Sequence, residues 1–392
     1  MIEYKTIRDL CSIVVDCPHS TPTWTVSGKI VVRNNNIKNG RIDFSSPSYT
    51  DDEHFQQRIK RATPQGGDII LTREAPMGEV GMIPEGAICC LGQRMVLLRA
   101  NPDLCDNYYL LYSLQSTYVQ HQISWSEGTG TTVSNLRIPH LEQLKIPYLP
   151  LLRQKQISSI LKCIEAKIEL NRVINDNLYE MVNAYYISLF KGDEGEMTTV
   201  GNYAERIYSG GTPTTSNADY WNGTFGWFSS GETRKRFVIS TEKTITQAGI
   251  DNSSTKLATK YDIVMASAGQ GFTRGQTSML FVDTYVNQSV IVIHSERNIL
   301  PYLFWNLANR YDELRAISDS SSIRGSLTTK MIAAFEISLA NEQSLQAFAD
   351  FAWSVIPQIE NNLLENERLT ALRDSLLPKL MSGEIDVSDV QL

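Results

Sequence analysis

A chain of 392 residues is long enough for two or three domains of ordinary size. With 42% hydrophobic, 20% charged and 9% aromatic residues it is neither disordered nor collagen-like. The formal net charge of −7 is uneven, at −1 over residues 1–150, +2 over 151–191, −2 over 192–340 and −6 over 341–392, so the nearly neutral large blocks leave a polyanion partner possible. Residues 1–20 carry Glu3, Lys5, Arg8, Asp9 and Asp16 without a long apolar run, and no run approaches the roughly 20 apolar residues of a membrane span, so a cytoplasmic address is expected. The six cysteines all lie at or before Cys163 and form no C-x-x-C pair, a pattern that suits buried or free thiols better than disulfides or zinc.

In chain order, β-rich runs are predicted at 30–33, 68–72 and 94–98, followed by a helical patch at 107–122. From Ile157 an apolar stripe runs through Ile160, Leu161, Ile164, Ile168, Ile174, Leu178, Met181, Val182, Tyr185 and Leu189, which predicts a long heptad-like helix. The pattern then starts again, with strands at 262–266 and 289–294, a helical patch at 300–316 and a second stripe through Phe348, Ala352, Val355, Ile359, Leu363, Leu369, Leu372 and Leu376. Pro357 lies inside that second helix and should kink it.

The second half echoes the first. Thr21-Pro22 returns as Thr212-Pro213, Ile146 as Ile337 and Ile168-Glu169 as Ile359-Glu360, each 191 residues on, while Gly92-Gln93 resembles Asn287-Gln288 after a slightly longer interval. The expected fold class is α+β, with two similar domains (1–150 and 192–340) joined and separated by two long antiparallel coiled-coil helices (151–191, and 341–392 with its tail). Asn171 and Asn175 sit mid-stripe, and Asn362 and Asn366 sit 191 residues later. If the helices run antiparallel, these asparagines face one another and mark register, so leucine at Asn171 and Asn362 is expected to raise stability and loosen register. In the alternative arrangement each helix packs on its own domain with the asparagines toward solvent.

Catalytic chemistry is hard to find. The phosphate-cradling G-x-x-x-x-G-K-[ST] loop is absent, and Gly269 to Gly275 only loosely resembles a dinucleotide loop. His19, His54, His121, His140 and His294 lack metal-ligand spacing, and there is no G-x-S-x-G elbow. No catalytic residue, metal site or cofactor is assigned to this chain. What the loops do contain suits nucleic acid: cations for phosphates and amides for base edges. The candidate DNA contacts in the first domain are Arg33, Asn34, Asn36, Lys38, Arg61, Arg73, Thr129, Thr131, Thr132 and Asn135. In the second they are Thr212, Ser230, Lys235, Arg236, Gln270, Thr273, Arg274, Ser321, Ser322 and Arg324.

Ile146-Pro147-Tyr148-Leu149-Pro150 leading through Gln154 into the first helix, Glu165 to Asn171 within it, and the closing Leu376-Leu377-Pro378-Lys379-Leu380-Met381-Ser382-Gly383-Glu384-Ile385 resemble the specificity subunit of Type I restriction-modification systems. Ser209-Gly210-Gly211-Thr212-Pro213 with Tyr220-Trp221 and Trp227 is similar to the opening of a target-recognition domain. The first domain departs from that opening, with Asp16 to Pro22 in its place. The resemblance implies that each domain reads one half of a split, asymmetric double-stranded DNA target, while the helices fix the spacer. It further implies two docked methyltransferase subunits and added restriction subunits, with S-adenosylmethionine, ATP and Mg on those partners. Two other readings stay open: an enzyme with a divided site near Gln270 to Gly275, and a scaffold whose helices only mediate assembly.

Overall fold

The computed structural model describes residues 3–38, 40–125, 135–190, 196–269, 273–320 and 325–390. The chain forms two compact units, Met1–Lys167 with Arg368–Leu392, and Ile168–Glu367. The division falls inside both long helices, Leu151–Phe190 and Glu342–Met381, so each unit contains a length of each helix rather than leaving the helices as separate segments. The second helix is continuous through Pro357.

Unit 1 is built on a six-stranded sheet in the order Cys11–Asp16, Met95–Ala100, Ile69–Thr72, Val80–Met82, Gly40–Ile42, Ile37–Lys38. Both faces of this sheet are covered, and the period of two along its strands sorts the side chains. Ile69, Leu71, Val96 and Leu98 point into a core with Tyr109, Leu110 and Leu114, to which the long helices add Ile157, Leu161, Leu377 and Leu380. Ile70, Met95 and Leu97 point the other way, onto Val32, Cys89 and Leu91 of a smaller sheet. Burial on both faces is why these strands read as continuous apolar runs.

Unit 2 repeats the plan. Its main sheet runs Arg206–Ser209, Val290–His294, Ile263–Ala266, Thr277–Leu280, Phe237–Val238. Ile263, Met265, Ile291 and Ile293 face a core with Trp305, Tyr302, Tyr186, Phe348 and Ile359, while Val264, Leu280 and Val292 face Phe228 and Val286 of the smaller sheet. Each expected helical patch is two helices: Asn107–Gln115 and Thr117–Trp125 divide at Ser116, whose ψ of 147° is extended, and Leu300–Asn309 and Tyr311–Ser320 divide at Arg310. The six cysteines are free thiols, and burial pushes Cys11 and Cys89 up to about 12 and Cys90 up to about 11, which makes them inert apolar fillers. Among the described residues no helix is long and apolar enough to cross a membrane.

The asparagines expected to mark register do meet, inside unit 2. Asn171 Nδ2 donates to Asn366 Oδ1 at 2.9 Å and Asn362 Nδ2 donates to Asn175 Oδ1 at 2.8 Å. The remaining amides donate to the facing backbone, Asn175 to the Ile359 carbonyl and Asn366 to the Ile168 carbonyl, each at 3.2 Å. These bonds fall into two pairs that the 191-residue offset interchanges, so the ladder has local two-fold symmetry. The opposed numbering of the partners makes the helices antiparallel here.

In unit 1 the helix pair meets at Glu165. Arg373 Nη1 lies 3.6 Å from its carboxylate and the Tyr112 hydroxyl donates to it at 3.3 Å, while Arg41 Nη2 donates to its main-chain carbonyl at 3.0 Å. Burial holds the carboxyl above the usual glutamate range, outweighing the lowering by Arg373 and Arg41. A raised carboxyl contributes stability that is complete below the ordinary glutamate value and is lost as pH rises through the raised one. Glu165→Gln should therefore gain on the wild type in urea midpoint as pH is raised from about 4.5 to 7. A gap that stayed constant across that range would remove this account.

Candidate nucleic-acid interface

Each smaller sheet contains one parallel pair of strands: Lys29–Val32 beside Cys89–Leu91 in unit 1, and Trp221–Phe228 beside Thr284–Val286 in unit 2. Where each pair ends, the chain does the same thing in both units. The Gly92 N–H donates to the Val32 carbonyl at 2.8 Å, and the Asn287 N–H donates to the Phe228 carbonyl at 3.1 Å. The first strand of each pair then enters a 3-10 turn, closed by a side chain three residues on: the Arg33 N–H donates to Asn36 Oδ1 and the Ser229 N–H to Glu232 Oε1, both at 2.9 Å. Arg33, Asn34 and Asn35 therefore occupy the places of Ser229, Ser230 and Gly231.

Two more loops recur around that end. Gln93 Nε2 lies 3.4 Å from Thr21 Oγ1, and in unit 2 the Thr212 hydroxyl donates to Gln288 Oε1, so the Thr-Pro loop is tied to the same turn in both units. Gly210 and Gly211 permit this approach in unit 2, because a Cβ there would collide with the Val286 carbonyl and the Ser254 hydroxyl. The hairpin loop beyond the central strand is closed by Gly78 N–H to the Thr72 carbonyl and by Gly275 N–H to the Ala266 carbonyl, both at 2.9 Å.

In unit 1 these loops line a cleft of about 460 Å³ that includes Trp24, Arg33, Asn34, Asn35, Gln93 and Arg94. The Arg33 guanidinium lies over the Trp24 ring, 5.2 Å from its centroid. Arg94 pairs with Glu74 at 3.2 Å. Asn34 Nδ2 donates to the Glu74 carbonyl at 2.6 Å, and its Oδ1 is buried with no partner among the described residues. Ala75 and Arg94, both on the cleft, have φ of 47° and 66°, a conformation costly for side-chain-bearing residues and concentrated at functional sites. Cations, amides and an aromatic face at the mouth of a fixed framework can contact phosphates and base edges.

Several residues expected to contact DNA serve the protein's own structure instead. Asn36 is only 6% exposed, closing its turn and donating to the Asp43 carbonyl at 3.0 Å. Arg73 is 7% exposed, with Nη1 2.8 Å from the Asp16 carboxylate, Nε donating to the Leu136 carbonyl at 2.8 Å and Nη2 to Asn135 Oδ1 at 3.1 Å. Thr273 is buried. Arg274 is held by Asp319 at 2.6 Å and by the Gly325 carbonyl. Arg236 lies 4.2 Å from the centre of the Tyr179 ring and pairs with Asp176 at 3.6 Å, both on the long helix. For Arg73, Arg274 and Arg236 a partner distant in sequence occupies the group that was expected to face a duplex.

Arg33 and Asn34 do reach the cleft. Lys38 is exposed on the outermost strand, Arg61 is exposed with Nη1 3.3 Å from the Asp16 carbonyl, and Asn135 and Lys235 are exposed. Ser230 is half-buried beside its turn, and Thr212 stands in the Thr-Gln tie. Thr129, Thr131, Thr132, Gln270, Ser321, Ser322 and Arg324 lie outside the described residues.

Sequence reasoning missed Trp24, Gln93 and Arg94 as site residues, although the recurrence of Gly92-Gln93 as Asn287-Gln288 was the available signal. It also missed Arg58, which is buried and donates to the carbonyls of Leu91 at 2.7 Å, Ser20 at 3.0 Å and Pro18 at 3.2 Å. Arg58 thereby pins the Thr-Pro loop against the end of the parallel pair, and nothing in the pattern of its surface helix announces that.

Two copies of one α+β frame, each ending in matched loops with unlike side chains, define a duplicated recognition module. The chain belongs to the Type I restriction modification DNA specificity domain family, whose model matches residues 3–180 and again 197–367. It is 32% identical over 105 residues to the putative type I restriction enzyme MjaX specificity subunit of Methanocaldococcus jannaschii, a match covering 27% of this chain and 24% of that one. It is 28% identical over 252 residues to the EcoR124I/EcoR124II specificity subunit of Escherichia coli, covering 62% and 61% of the two chains. These two matches thus span about a quarter and about three fifths of their relatives' lengths. The MjaIX specificity subunit of M. jannaschii is matched over 345 residues at 22% identity, covering 83% and 79%. The fold is similar to that of a Type-I restriction-modification system S subunit from M. genitalium, with a TM-score of 0.60 at 18% identity over 97% of this chain and 96% of that one.

Proposed function

We propose that this chain is the sequence-specific DNA-binding specificity subunit of a Type I restriction-modification complex. Its two recognition domains, 1–150 and 192–340, each read one half of a bipartite asymmetric target. The helical segments 151–191 and 341–392 set the spacer and dock two methyltransferase subunits, with restriction subunits joining for cleavage. The chain is non-catalytic and works in the prokaryotic cytoplasm; S-adenosylmethionine, ATP and Mg belong to the partners.

The observation that carries this reading is the recurrence of one four-loop framework with different side chains on it. A catalyst built twice would repeat its reactive groups, whereas a reader of an asymmetric target must repeat its frame and vary its contacts. Each long helix has 40 residues, about 60 Å at about 1.5 Å per residue, and half-sites on one face of B-DNA lie about 34 Å or a multiple apart, so a helix of this length is of the right order for a spacer ruler.

The test uses the complex assembled with its methyltransferase, on duplexes in which one half-site is intact and the other scrambled. Arg33→Glu should weaken recognition of one half-site by roughly 10-fold or more. Arg274→Glu, which turns the attraction to Asp319 on the helix Tyr311–Ser320 into repulsion, should weaken the other. Equal loss at both half-sites from either substitution contradicts the division into two readers.

A further inference from the structure

We infer that the half-site read by unit 1 contains a guanine recognised by Arg33, with Trp24 as the residue that positions the guanidinium; this rests on the DNA-reading function proposed above. Four observations lead here. Arg33 is exposed on the cleft, whereas the cleft's other arginine, Arg94, is engaged by Glu74. Among the described residues no carboxylate pairs with Arg33, and the hydrogen bond of its guanidinium is a long one, 3.5 Å from Nη1 to Ser48 Oγ. Its guanidinium lies over the face of Trp24, which is itself 46% exposed. Its main chain is fixed, because its N–H is bound by Asn36 and the preceding Val32 carbonyl is bound by Gly92.

An arginine whose root is anchored and whose guanidinium lies over an indole loses less freedom on binding than an unsupported one. That donor fork matches the O6 and N7 acceptors of guanine in the major groove, the commonest specific contact of an arginine with a base. A phosphate would also accept from the same fork, and sequence preference against salt dependence is what separates the two contacts. Ser229 occupies the equivalent place in unit 2 and brings no guanidinium, so the guanine contact belongs to one half-site alone.

The experiment is selection of bound duplexes from a library randomised in both half-sites, with the methyltransferase-assembled full chain. Wild type should return a guanine at a position of one half-site. Arg33→Ala should lower preference for that guanine by about 5- to 150-fold, leaving the other half-site unchanged as an internal control of folding. Trp24→Leu, which keeps the charge, should relax the same position while the salt dependence of binding stays as in wild type. The inference is overturned if Arg33→Ala weakens all sequences equally and lowers the salt slope by about one, the mark of a phosphate contact. It is overturned equally if the wild type selects a split site whose bases are indifferent to Arg33, an outcome that leaves the general function standing. A wild-type complex with no sequence preference would overturn both.

Discussion

Arg73→Met is expected to destabilise unit 1 by about 3 kcal/mol, the scale on which removing one partner of a buried ion pair acts. The substitution leaves the Asp16 carboxylate, whose side chain is only 17% exposed, without the guanidinium that now meets both of its oxygens at 2.9 and 2.8 Å. It also withdraws donors from the Leu136 carbonyl and from Asn135. Methionine fills much of the volume, so the loss reports the polar network rather than a cavity. Lysine retains the charge but cannot place three donors at these angles, and should recover only a minor part. Urea unfolding of the full chain measures it, and a midpoint within error of wild type for Arg73→Met would show that the network adds nothing. DNA binding at the unit 1 half-site should fall with stability, because Asp16 leads directly into the Thr-Pro loop.

The asparagine ladder supports the second large effect, and there the structure reverses part of the expectation from sequence. Leucine at Asn171 alone removes the donor to Asn366 and to Glu365 Oε2, the latter 2.7 Å away, and leaves polar atoms of the facing helix in the seam without that partner. Such a change costs about 1–3 kcal/mol instead of raising stability. Leucine at both Asn171 and Asn362 breaks both interhelical amide pairs and should cost more than either alone. Replacing all four asparagines removes every member of the ladder. That variant should recover the loss and exceed the wild type in melting temperature, while accepting duplexes whose half-sites are one base pair closer or farther apart. Thermal melts with binding to a spacer series decide it. A quadruple variant as selective for spacer as the wild type would take the register role away from these residues.

The parts of this molecule that could be read in advance are those decided by local pattern. Ile69 to Leu71 and Val290 to Ile293 were recognisable as strands because burial on both faces leaves no polar residue within them. The ladder was recognisable because a polar residue in an apolar stripe is rare and this one recurs at the repeat interval. The surface contacts were not, because partners far along the chain decide them. Arg73 looks like any loop cation until Asp16, 57 residues earlier, is seen to hold it. Arg33 and Arg73 are indistinguishable by composition, and the fold alone makes one an external donor and the other an internal strut. The breaks at Ser116 and Arg310 were equally silent, since neither residue is a strong helix breaker.

The matched turns at 33–36 and 229–232 carry a consequence for how such a protein changes its vocabulary. Main-chain bonds and the closing residues Asn36 and Glu232 build most of the scaffold, and the Arg33 guanidinium projects from it onto the cleft. A few altered codons at the rim can exchange one word for another while the grammar of the backbone stays intact, and a duplicated gene can let its halves drift toward different words at little risk to folding.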